Sequence, residues 1–140
     1  MKSLAVGIAL VLAALAALHF YWAIRGTAGG DAAVPELNGS PLFRPGRIAT
    51  LAVGPALLTA GLIVLERGGA GPAFLPPALA RWGTGLVALV FLARAMGEFR
   101  YVGFFKRVRG TRFARLDSLI YSPLCLAIGA ASAVLAVGGS

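Results

Sequence analysis

The chain has 140 residues and a net charge of +8; 59% of it is hydrophobic and only 13% is charged. A soluble domain of this length sits near half apolar and about a quarter charged, so one water-facing core cannot hide this much apolar surface, and a bilayer is the expected solvent. A single Cys and a single His exclude an internal disulfide framework and leave too few ligands for a zinc or iron–sulfur site; neither metal nor cofactor is expected.

The first apolar run, residues 4–24, reads "LAVGIALVLAALAALHFYWAI". It begins like a secretory signal, with Lys2 before an apolar stretch. It is too long for one, however, and it ends in the ring-rich "HFYW" rather than in a polar cleavage region. A retained membrane-spanning helix is the reading. Ala9, Ala13 and Ala17 recur at every fourth position and predict a close helix–helix contact. The link that follows, "RGTAGGDAAVPELNGSPLFRPGR", is rich in Gly, Pro and Asn and reads as ordered turn. Its Asn38-Gly39-Ser40 sequon falls on the side assigned below to the cytoplasm, where it has no consequence.

Residues 48–65 form the second span, with Pro55 after Gly54 expected to bend it. The short link "ERGGAGPAFLPP" leads to a third span over 78–97. Near its end Arg94 and Glu98 stand four apart, the spacing of an ion pair along one helix. Alternatively Arg94, one turn inside the membrane, offers its charge to an anionic ligand, since ionisable groups at such depth are costly.

The next stretch, "EFRYVGFFKRVRGTRFARLD", holds six of the chain's thirteen Lys and Arg residues and five aromatic rings. Tyr101, Phe104, Phe105 and Val108 fall at helical spacing with the cations largely off that face, which allows a short amphipathic helix in the headgroup layer. Lys106, Arg107, Arg109, Arg112 and Arg115 then form a basic surface for anionic lipid. Nucleic acid is the weakest reading of this charge, because it lies between apolar segments and no base-stacking platform accompanies it. A plain topogenic loop is the alternative.

The fourth span covers 118–137, where Gly129 and Ala133 repeat the small-residue spacing. Asp117 suits an N-cap. Ser122-Pro123 leaves two choices: Pro123 kinks the helix from within, or Ser122 caps it and Pro123 starts it, with Asp117 to Tyr121 a separate interfacial turn. Cys125 reads as buried filler rather than a nucleophile.

The expected architecture is an all-α, integral membrane four-helix bundle with antiparallel neighbours, one domain over residues 1–140. Nine Lys and Arg residues flank the first and third loops against Lys2, Arg67 and Arg81 on the other side. The positive-inside rule puts both loops in the cytoplasm and both termini outside. The polar residues gather at that cytoplasmic end. The candidate ligand-binding residues are His19, Trp22, Arg94, Glu98, Arg100, Asp117, Tyr121 and Ser122.

"LFRP", "FRYVGFFKRVRGTRFARLD", "YSPLC" and the "HFYWA" end of the first helix resemble a family of short bacterial membrane proteins catalogued as domain of unknown function 3995. The resemblance implies a four-span protein of the bacterial cytoplasmic membrane and carries no activity or catalytic residue. Three functions are weighed. The first is a binder of, or small enzyme acting on, an anionic amphiphile (a lipid, polyprenyl phosphate or quinone-like molecule); Arg94→Ala then abolishes binding while Arg109→Ala matters little. The second is a transporter or pore formed as a homo-oligomer. The third is an interaction protein whose basic loop recruits anionic lipid or a protein partner. The sequence leaves catalysis undecided.

Overall fold

A computed structural model describes residues 1–26, 33–44 and 46–138. Its principal helices are α1 (Lys2–Arg25), α2 (Arg47–Arg67) and α3 (Pro77–Met96), followed by a continuous helical run from Arg112 to Gly138. That run consists of a short α4 (Arg112–Leu116), a π-helical turn (Asp117–Tyr121) and α5 (Ser122–Gly138). All four runs are long and apolar enough to cross a membrane. Their outer surface carries exposed Leu10, Leu62, Leu89 and Leu126, an exterior suited to lipid rather than water.

The helix ends follow from local chemistry. Pro77 opens α3, where its missing N–H costs nothing. Gly26 and Gly97 end α1 and α3 at φ 81° and 78°, and their N–H groups bond to the Trp22 and Ala93 carbonyls at 2.8 Å. In the first link, residues 27–32 lie outside the described residues. Beyond them Glu36–Leu37 pairs with Ser40–Pro41 as a two-residue antiparallel ladder. Asn38 and Gly39, at φ 54° and 76°, make its turn, the pairing that positive φ at both central positions favours. The Asn-Gly pair therefore has a structural task that a sequon reading misses.

The bundle consists of two antiparallel pairs, α1 with α2 and α3 with α5. Lipid tails are as apolar as Leu, so helices in a bilayer associate through close packing rather than through water exclusion. Small residues supply it. Gly61 backs onto Ala9, Gly68 onto Ala5 and Gly54 onto the Phe20 ring, while Gly129 meets Leu92. Ala5, Ile8, Leu12, Val64, Val87, Ile128 and Leu135 fill the shared core. Of the expected Ala9/Ala13/Ala17 stripe, Ala9 makes the close contact with Gly61, but Ala13 and Ala17 are exposed, and the packed face of α1 runs through Ala5, Leu12 and Ala16. The Gly129 expectation matches the contact with Leu92. α2 continues unbroken through Pro55.

α2 and α3 touch more sparsely than either pair does internally. Between them lies a laterally open groove of about 540 Å³, lined from Val53 to Ile63 on α2 and from Gly83 to Phe91 on α3. At the end opposite Arg94, Arg67 donates from Nε to the Leu135 carbonyl (3.2 Å) and from Nη2 to the Ala136 carbonyl (3.0 Å). It thereby satisfies carbonyls that the last turn of α5 leaves open.

Candidate functional site

After Glu98 the chain has a single acidic residue, Asp117, among many cations. It is fully buried. One carboxylate oxygen accepts from Arg94 Nη2 at 2.8 Å; the other accepts from Lys106 Nζ at 3.0 Å and from the Gly103 backbone N–H at 2.8 Å. Lys106 is only 2% exposed and spends its remaining donors on the Gly103 carbonyl (2.9 Å) and Ser118 Oγ (2.6 Å). A buried charge is tolerated when paired and hydrogen-bonded. Here one carboxylate gathers the end of α3, the loop and the start of the fourth run into one cluster. Two cations against one anion leave it one positive charge in excess.

This cluster corrects several expectations. Arg94 pairs with Asp117 rather than with Glu98. Glu98 is exposed, and its Oε1 accepts the Tyr101 and Val102 backbone N–H groups, closing a local turn. Asp117 is no N-cap: Thr111 caps α4 by accepting the Ala114 N–H at 3.0 Å, and the fourth run therefore starts at Arg112, earlier than expected. Lys106 is no surface residue but an interior one. The amphipathic helix does not form. Residues 97–111 fold back instead as a compact loop, with the Phe104 N–H on the Ala95 carbonyl (2.8 Å) and the Arg107 and Val108 N–H groups on the Arg100 carbonyl (2.9 and 2.8 Å). Gly97, Phe99 and Gly103 stand at positive φ, which a helix excludes.

Pro123 neither starts the helix nor breaks it. It follows a π turn in which the Ser122 N–H reaches back to the Asp117 carbonyl. The wider turn absorbs the hydrogen bond that proline removes. Ser122 is fully buried, and its hydroxyl has no hydrogen-bond partner among the described residues. Tyr121 sets its ring 5.9 Å from that of Phe113.

Outside this cluster Arg100, Arg107, Arg109, Arg112 and Arg115 are exposed. Arg100 lies over the Tyr101 ring at 5.1 Å. Arg109 donates to the Phe104 carbonyl at 3.1 Å. Arg109 and Arg115 flank a notch of about 280 Å³ with Gly110, Ala114, Ser118 and Leu119. Sequence reasoning missed Ser118 and the inward turn of Lys106; the scarcity of acidic residues around Asp117 was the available signal.

His19 and Trp22 stand apart from this cluster, on the α1–α2 pair. Their rings meet edge to face, centroids 5.2 Å apart, and the His19 Nδ1 lies 2.7 Å from the Leu15 carbonyl. With Val34, Ala49, Thr50 and Val53 they line a pocket of about 210 Å³. The eight candidate ligand-binding residues therefore divide between two places.

A family model described as a protein of unknown function, DUF3995, matches residues 12–132. The chain belongs to that family. No curated protein and no solved structure matches it. The match spans both clusters of this DUF3995 protein, from α1 beyond Leu12 to Ser132 on α5.

Proposed function

We propose that this DUF3995 protein binds an anionic, phosphate-bearing amphiphile at the arginine notch beside the Asp117 cluster. The reading treats the chain as one four-span unit in the bacterial cytoplasmic membrane, with the notch at the cytoplasmic face and both termini outside. The concentration of exposed arginines at that end supports this orientation. The observation that carries the reading is the notch's chemistry. Arg109, Arg115 and Ser118 line the notch together, and so does Leu119, which is 74% exposed. Two guanidinium groups and a hydroxyl suit phosphate oxygens. Lys106 already donates to Ser118 Oγ, so the serine's own O–H is left to donate elsewhere.

In this reading Arg94, Lys106 and Asp117 are positioning residues. They hold the loop so that Arg109 and Arg115 line the same notch, and Arg109 carries more weight for binding than Arg94, which already has its carboxylate. The test is native mass spectrometry of protein from nanodiscs containing phosphatidylglycerol and phosphatidylcholine. One phosphatidylglycerol per chain is expected to persist. Arg109→Gln with Arg115→Gln should weaken its retention about 30-fold, from about 1 kcal/mol for each basic residue near the surface. Arg44→Gln with Arg47→Gln should leave it unchanged. Equal losses in both pairs would replace the site with a diffuse basic surface.

A further inference from the structure

The groove between α2 and α3 and the pocket at His19 adjoin at Val53, which lines both. Along α2 the lining positions step through Ala49, Thr50, Val53, Leu57, Ala60 and Ile63, a single helix face. Fourteen residues separate Ala49 from Ile63, a rise of about 21 Å, against a hydrocarbon core about 30 Å thick. The groove section is apolar apart from Thr59, whose hydroxyl already donates to the Pro55 carbonyl at 2.8 Å. Among the described lining residues the other polar side chains, His19, Trp22 and Thr50, stand at the pocket end. The shape is that of a single chain with a polar head.

Hydrogen bonding at the pocket specifies the head. The Leu15 carbonyl only accepts, so the His19 Nδ1 carries a proton and donates to it, and in that tautomer Nε2 is the ring's acceptor. Thr50 donates its hydroxyl proton to the Gly46 carbonyl at 3.0 Å and likewise keeps lone pairs to offer. Among the described residues, the pocket lining contains no Arg, Lys, Asp or Glu. At these residues an anionic phosphate would meet acceptors, whereas a hydroxyl would find an acceptor for its proton.

We infer that the His19 pocket and the α2–α3 groove together form a second site, for a neutral single-chain amphiphile with a hydroxyl head that donates to His19 Nε2. This site is independent of the arginine notch. Isoprenoid alcohols and quinols share this head chemistry.

The test uses the full chain in phosphatidylcholine nanodiscs and a 16-carbon alcohol bearing a terminal diazirine. Its methyl ether serves as the matched probe that cannot donate. Photolysis followed by peptide mass spectrometry is expected to place the alcohol's label between residues 56 and 63 or 83 and 91. Labelling by the ether should be roughly 3- to 10-fold weaker, the worth of one hydrogen bond. His19→Phe should bring the alcohol down to the ether's level. Val53→Trp, which fills the junction at a partly exposed position, should reduce labelling by the alcohol while circular dichroism stays unchanged. Competition by geranylgeraniol but not by decylubiquinol assigns the head to an isoprenoid alcohol, and the reverse to a quinol. Equal labelling by alcohol and ether, or label spread over the Leu10, Leu62 and Leu126 faces, overturns the inference. Competition by phosphatidylglycerol as strong as by either alcohol also overturns it, while leaving the notch reading intact.

Discussion

Arg94 and Asp117, 23 residues apart in sequence, meet at 2.8 Å; the carboxylate is fully buried and the arginine side chain is one-third exposed. The pair is therefore asymmetric. Arg94 can turn towards the interface if Asp117 is removed, but Lys106, buried on the other carboxylate oxygen, cannot. Asp117→Ala should destabilise the loop by about 3–5 kcal/mol, the cost of stranding a buried charge. Arg94→Ala should cost clearly less. Limited trypsin digestion at Arg107 and Arg109 reads this directly, with cleavage of Asp117→Ala about two to four orders of magnitude faster than wild type where opening is rapid. Adding Lys106→Met to Asp117→Leu should recover at least half of the loss, because the lone buried charge is then gone.

Gly97 and Gly103 interlock. A Cβ on Gly97 would run into the Val102 carbonyl and one on Gly103 into the Met96 carbonyl, and both residues stand at positive φ. Alanine at either position should lower the thermal midpoint in detergent strongly, by more than the ~1–3 kcal/mol of backbone strain alone. Gly110 also has positive φ, at 100°, but open space around it; Gly110→Ala should show the strain cost only. Equal effects at all three positions would mean that the loop does not pack as described.

Arg67→Ala should cost about 1–2 kcal/mol by uncapping α5. Arg67→Lys should recover part of this, since it keeps the charge but not the two-carbonyl reach of Nε and Nη2. Arg81 is exposed, and Arg81→Ala should leave the unfolding midpoint unchanged.

The hydroxyls of Thr84 and Ser132 are fully buried and have no hydrogen-bond partner among the described residues. Thr84→Val and Ser132→Ala should therefore be neutral or stabilising by up to about 1–2 kcal/mol. A clear drop in midpoint for either would show that the hydroxyl has a partner in the membrane, such as a bound water.

The four spans were legible because a bilayer demands long apolar helices, and composition records that demand directly. Span ends were less so: Arg112 to Asp117 is polar enough to read as loop, yet it is helical because Thr111 caps it. Which residues sit together at the polar end was only partly legible. Asp117, Arg94 and Tyr121 were named from their types and depth, but their arrangement depends on the π turn. An extra residue turns everything before it by about 100°, so helical periodicity counted from Ser122 does not predict where Asp117 points. The ring spacing over 101–108 suggested a helix for a similar reason. A regular pattern was visible, while the inward pull of a buried carboxylate on Lys106 and Gly103 was not. The groove had no sequence signature, because its lining residues match those of any apolar helix face.

The helical run from Arg112 is synthesised after the other three long helices, and it carries the partners of long-range polar contacts at both ends of the bundle: Asp117 for Arg94 and Lys106, and the Leu135 and Ala136 carbonyls for Arg67. Until it is inserted, three cations already delivered to the membrane lack these counterparts. A chain truncated before Asp117 would hold three apolar helices and strand all three charges. Insertion of this run thus closes the two ends in one event, and order of synthesis becomes order of assembly.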